Sequence, residues 1–131
     1  MTRPRYDAHS TEFGLWLRNE KCIDSSLGFV TTNIDYIWEN YKTREWMLIE
    51  EKRFNGKITW SQEKQFEKIH NAINDINYKG FYLLVFEKTS PSDGYIKLNN
   101  TLITEQELKD FLLFVTPRES YFQEALCVQK G

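Results

Sequence analysis

Two neighbouring stretches, NIDYIWENY at 33–41 and EWMLIEEKRF at 45–54, decide how this chain is read. Both are rich in Ile, Leu, Trp and Tyr, and a polar turn near Lys42-Thr43-Arg44 separates them, so the pattern predicts two paired strands. Asp35 lies on the first strand, and Glu50, Glu51 and Lys52 lie on the second. An unpaired carboxylate inside an apolar strand is costly, so acids placed there ask for a reason. Residues two apart in a strand share a face, which turns Glu50 and Lys52 one way and Glu51 the other. The turn decides where Asp35 goes. A two-residue loop at Thr43-Arg44, or a four-residue loop of the same register, sets Asp35 across from Lys52 and next to Glu50. A three-residue loop hands Asp35 to Glu51 instead. Even loops are common in hairpins, so the expectation is that Asp35, Glu50 and Lys52 share one face.

Before the hairpin, Ser10 or Thr11 can cap a helix carrying Phe13, Trp16 and Leu17 on one stripe, with Glu12 in its first turn, where the helix dipole favours an acid. Residues 1–9, with Arg3 and Arg5 around Pro4, read as a loose arm, and GFVTT at 28–32 reads as a short strand. After the hairpin comes the strongest turn signal of the chain, Asn55-Gly56. Thr59 and Gln62 then form a capping box for a second helix, whose expected apolar face is Phe66, Ile69, Ala72, Ile73 and Ile76. Glu63, Lys64, Glu67, Lys68 and Asn71 make its other face.

KGFYLLVFEK at 79–88 predicts a buried central strand, and YIKLN at 95–99 an edge strand. Thr104 and Glu107 cap a last helix with Leu108, Phe111 and Leu112 on one side, ended by Pro117. In the tail, Tyr121, Phe122, Ala125 and Leu126 are apolar enough to pack. A strand–helix–strand crossover returns parallel, whereas hairpins are antiparallel. The expected fold is therefore α/β in the broad sense, an α+β mixed sheet flanked by helices. Its element order is αβββαβ, with a further strand and helix at the C-terminal end.

Composition narrows the class. The 131 residues suit a single domain, 1–131, with its core at about 10–88 and an extension at 89–131. Aromatic residues are 15% of the chain, which predicts an aromatic-rich core, and the net charge of −2 does not advertise a polyanion binder. Cys22 and Cys127 show no CxxC spacing and read as reduced thiols. With His9 and His70 they offer no close metal-ligand spacing. No apolar run approaches the ~20 residues of a membrane span, and MTRPRYDAHS lacks the apolar segment of a signal peptide, so a cytoplasmic, membrane-free protein is expected.

Two carboxylates brought together repel unless a cation lies between them, and hard oxygen ligands suit Mg²⁺ or Mn²⁺. An ammonium one pleat away could position a water or offset charge on a phosphate. Residue types alone leave two other readings open: a buried Asp–Lys or Glu–Lys ion pair, and an exposed edge with ordinary charges. Lys52, Arg53 and Lys57, with Lys64 and Lys68 at helical spacing, could line a backbone-binding face, though solvated helix charges explain the last two equally well. Trp38, Trp46 and Trp60 read as core residues more readily than as base-stacking platforms.

Asp35 on one strand, Glu50-x-Lys52 on the next, and then a helix and a strand make the chain resemble the PD-(D/E)XK nuclease superfamily, the restriction-endonuclease-like fold. Fourteen residues separate Asp35 from Glu50. The likeness covers about residues 10–88, and Ile34 stands where the family name expects Pro. It implies Mg²⁺-dependent (or Mn²⁺-dependent) hydrolysis of phosphodiesters, usually of DNA. Asp35 and Glu50 become metal ligands, with Glu51 as an alternative, and Lys52 becomes the positioning cation. Glu12 becomes an accessory ligand on the first helix, and Gln62 or Gln65 a support. A homodimer is expected, because one domain of this size offers little surface to enclose a duplex. The alternative is a catalytically inactive nuclease-like protein that binds nucleic acid or a protein partner.

Overall fold

The computed structural model describes residues 11–122, apart from the side chains of Arg18 and Ser25, and these residues fall into two compact units that meet in sequence after Asn33. The expected arm at 1–9, the alternative cap Ser10, and Ala125, Leu126, His9 and Cys127 lie outside the described residues.

The first unit contains helix α1 (Glu12–Asn19). Its cap is Thr11, whose hydroxyl accepts the Gly14 amide at 3.0 Å, and the rings of Phe13 and Trp16 stack 6.0 Å apart on one side. Two 3₁₀ turns, Lys21–Ile23 and Ser25–Leu27, follow. The strand expected at 28–32 is not there. β-rich residues form a strand only against a partner, no described strand pairs with this segment, and Gly28 turns the chain at φ +100°.

The second unit carries five strands, β1 (Tyr36–Glu39), β2 (Trp46–Lys52), β3 (Tyr78–Phe86), β4 (Ile96–Leu98) and β5 (Thr101–Ile103), in the spatial order β1-β2-β3-β4-β5. Helix α2 (Trp60–Ala72) joins β2 to β3, and helix α3 (Glu105–Leu112) follows β5. β2 and β3 run parallel, as the crossover requires, and every other pair is antiparallel. The fold is mixed α+β, with a five-stranded mixed sheet and three helices among the described residues. No helix among them is long and apolar enough to cross a membrane.

Alternation along β2 and β3 gives the sheet two apolar faces. Met47, Ile49, Tyr82, Leu84 and Phe86 pack with Ile96, Leu98 and the α3 residues Leu108 and Phe111. Leu48 and Phe81 pack on the other side with Phe66 of α2 and with Phe122. A bulge in β3 sets this partition. Trp46 pairs with Tyr78 but Leu48 pairs with Phe81, so one extra residue enters β3 between them. It enters at Lys79-Gly80, where Gly80 has φ +121° and a side chain would lie 2.9 Å from Ser120 Cβ. The extra residue lets Tyr78 and Phe81 both contribute to the α2-side core, although three positions separate them.

Several expectations need correction. YIKLN is not an edge, because β5 pairs beyond it. Asn99 and Asn100, at φ +50° and +69°, supply the two left-handed residues of a tight hairpin turn between β4 and β5. The buried side of α2 is Phe66 and His70, with Ile73 partly buried at its C-cap. Ile69, Ala72 and Ile76 are exposed, because the inward stripe runs i, i+4, i+7 and the helix stops at Ala72. Pro117 does not end α3. The helix closes earlier, with Phe114 left-handed at φ +59°, its amide on Phe111 O and the Val115 amide on Asp110 O. The tail packs as far as it is described, Phe122 being buried and the Tyr121 amide bonded to Phe81 O at 2.7 Å.

Candidate functional site

The hairpin turn fixes where the acids go. Asn40 and Glu45 close it, through the Asn40 amide on Glu45 O at 2.9 Å and the Arg44 amide on Asn40 O at 2.7 Å. Asn40 Oδ1 also accepts the Lys42 amide at 2.9 Å, and Arg44 adopts φ +73°. The loop is thus four residues, 41–44, one position earlier than the loop drawn from the sequence. The ladder pairs Tyr36 with Ile49 and Ile37 with Leu48. Continuing it one step sets Asp35 opposite Glu50 rather than Lys52. The parity is unchanged, so Asp35, Glu50 and Lys52 share the α2 face of the sheet.

Glu50 is the most confined of the three, its residue only 2% exposed beneath that face. Its Oε1 has no hydrogen-bond partner among the described residues. Burial pushes its carboxyl up to about 7, the Asp35 charge adds to this, and Lys52 and the Asp35 amide pull the other way. Asp35 is half-buried, just before β1, and its Oδ2 accepts the Glu51 amide at 2.9 Å. Lys52 Nζ lies 3.5 Å from Glu50 Oε2 and donates to Gln62 Oε1 at 2.9 Å.

Gln62 does two things at once. It is the third residue of α2, and its Oε1 also accepts the Thr59 amide at 3.1 Å while the Gln62 amide bonds to Thr59 Oγ1 at 3.2 Å. The capping box that starts α2 therefore also clamps Lys52. The next turn passes close to the lysine. Phe54 and Asn55 are both left-handed, and a side chain at Gly56 would come within 3.1 Å of Arg53 O and 3.5 Å of Lys52 Cβ. The turn signal at Asn55-Gly56 was legible, but its closeness to Lys52 was not.

The remaining candidates fall elsewhere. Glu51 projects from the opposite face, where the Tyr36 hydroxyl donates to Oε1 at 3.0 Å and Arg53 Nε to Oε2 at 3.1 Å. That bond holds the Tyr36 phenol above its ordinary range. Arg53 thus sides with Glu51 and leaves the cationic face expected around Lys52. Tyr36 was not singled out from sequence, although its position next to Asp35 and opposite parity carried the signal. Gln65 lies half-buried on α2, one turn beyond Gln62. Glu12 occupies the first turn of α1 in the other unit. Trp38 and Trp46 are anchored by their indole N–H groups, on Leu112 O at 2.8 Å and Asp75 Oδ2 at 3.3 Å. Trp38 is 42% and Trp60 73% exposed, which overturns the reading of both as core residues.

Among the described residues, no three of His, Cys, Asp and Glu gather into a metal-ligating cluster, and Asp35 and Glu50 are the two acids that the hairpin ladder sets on this face. They are hard oxygen donors, one with a buried oxygen lacking a partner, and that is a fit for a small divalent cation completed by water. No protein-family model, curated protein or solved structure matches this chain.

Proposed function

We propose that this chain is a Mg²⁺- or Mn²⁺-dependent nuclease of the PD-(D/E)XK kind, hydrolysing phosphodiester bonds of nucleic acid, DNA ahead of RNA. The observation that carries the reading is the parity of the hairpin: Asp35 continues the ladder to a place opposite Glu50, with Lys52 one pleat on. In this reading Asp35 and Glu50 would hold the metal and Gln65 keeps an accessory role, while the expected ligand Glu12 belongs to the other unit. Once bound, such an ion stabilises charge on the phosphate and makes its water more acidic. Lys52, held by Gln62, orients the attacking water or offsets charge on the phosphate. The order of β1, β2, α2 and β3 supports a restriction-endonuclease-like core, shortened by the strand that 28–32 does not form. The whole of 1–131 is taken as one nuclease module acting as a homodimer.

Purified protein given Mg²⁺ or Mn²⁺ should cut DNA or RNA. Glu50→Ala and Lys52→Ala should each lower the rate by about 100-fold or more, as loss of a preorganised electrostatic group does. Undiminished cleavage by both variants would sink the assignment. One observation favours a second reading, a catalytically silent relative that binds nucleic acid or a protein: Lys52 already stands 3.5 Å from Glu50, as in a structural ion pair. On that reading the protein takes up no divalent ion at this face.

A further inference from the structure

The exposed side of α2 carries a pattern that the proposed chemistry does not use. Trp60, Lys64, Lys68 and Asn71 are all exposed. At 100° per residue they fall within an arc of about 80°, opposite the buried Phe66 and His70. Lys64 Nζ sits 5.9 Å from the centre of the Trp60 ring. Lys57, also exposed, enters the same helix just before its cap. Of the two acids of α2, Glu63 is half-buried and accepts the Tyr121 hydroxyl at 3.3 Å, and Glu67, also half-buried, borders the arc about 20° from Trp60. In a chain of net charge −2, this face presents three exposed lysines around a bare indole.

An indole that is 73% exposed at the first position of a helix forgoes burial that a tryptophan ordinarily gains. A flat ring among ammonium groups suits a partner that has both a π-face and a string of anions. A nucleic-acid strand with unpaired bases has both, whereas a duplex keeps its base faces stacked on one another. Trp60 lies two residues before Gln62, whose side chain holds Lys52 at 2.9 Å. The two share the first turn of α2 but, about 200° apart, project from opposite sides of it, so a strand stacked on Trp60 reaches the proposed site by passing around the helix start.

We infer that Trp60, with Lys57, Lys64 and Lys68, is a docking surface for a single-stranded segment of nucleic acid, one base stacking on the Trp60 indole and the lysines following the backbone. This deepens the nuclease reading and rests on it for its role, making the substrate one with unpaired bases.

The test is a binding titration, in EDTA so that no cutting occurs, with a short mixed-sequence single strand, as DNA and as RNA, and with the DNA as a blunt duplex. The wild type should bind at least one single strand more tightly than the duplex. Trp60→Ala should weaken that binding by roughly tenfold, the effect of losing one base–aromatic stack. Replacing Lys64 and Lys68 by Ala should flatten the salt dependence of log affinity by about 0.7 per lysine. Duplex preference, or Trp60→Ala binding like the wild type, overturns the inference. Metal-dependent cleavage is scored separately. Single-strand binding lost in Trp60→Ala without any cleavage would leave the docking surface standing and remove the nuclease. Cleavage that depends on Glu50 and Lys52, with Trp60→Ala binding unchanged, would do the reverse.

Discussion

A carboxyl that is 2% exposed, with one oxygen lacking a hydrogen-bond partner among the described residues, disfavours its own ionisation. Glu50 accordingly titrates near 7 in the fold, against 4.5 for an ordinary glutamate. The sign of the linkage follows from that displacement. The folded state holds the proton more tightly than the unfolded state, so the stability it contributes is complete below about 4.5 and is lost as pH rises to about 7. The difference corresponds to roughly 3 kcal/mol. Denaturant unfolding of the metal-free protein should therefore show stability falling across that window. Glu50→Gln, which cannot ionise, should lack this part of the slope. Parallel pH profiles for the two proteins would contradict the account. A cation at this carboxylate competes with the same proton, so metal affinity should climb through pH 7 and level off above it.

At the scale of the element, α2 shows what a sequence rule captures and what it leaves out. Thr59 and Gln62 were readable as a capping box, because that rule concerns four consecutive residues, and the box is present. The bond from Gln62 to Lys52 was not readable as such, because it depends on a strand ten residues earlier arriving over the helix start. The two roles can be separated. Thr59→Ala and Gln62→Ala should each cost about 1 kcal/mol of stability through the weakened cap. Only Gln62→Ala should also free Lys52, lowering the cleavage rate well beyond Thr59→Ala and leaving substrate affinity close to wild type. Equal rates in the two variants would reduce Gln62 to a cap. The inward stripe of α2 was misjudged for a related reason. Ile69, Ala72 and Ile76 are apolar, but the sheet lies under Phe66, His70 and Ile73, and His70 Nδ1 bonds there with the Tyr78 hydroxyl at 2.8 Å.

At the scale of the molecule, one two-fold alternation carries the account. The period of the strands already put Glu50 and Lys52 together and Glu51 apart, and the structure keeps that division. The loop parity that brings Asp35 to the same side was readable as a choice between even and odd. The particular four-residue loop depends on the Asn40 side chain capturing the Lys42 amide, a local contact that strand patterning does not encode. The bulge at Gly80, the turn at Asn99-Asn100 and the missing strand at 28–32 escaped for the same reason. Each depends on what lies beside the segment. Whether the assembled face does chemistry comes down to whether Asp35 and Glu50 hold a cation together. Calorimetric titration of the purified protein with Mn²⁺ above pH 7 asks this directly. One saturable site per chain is expected, abolished by Asp35→Asn and by Glu50→Gln. No uptake by the wild type, or uptake that survives both substitutions, would contradict it.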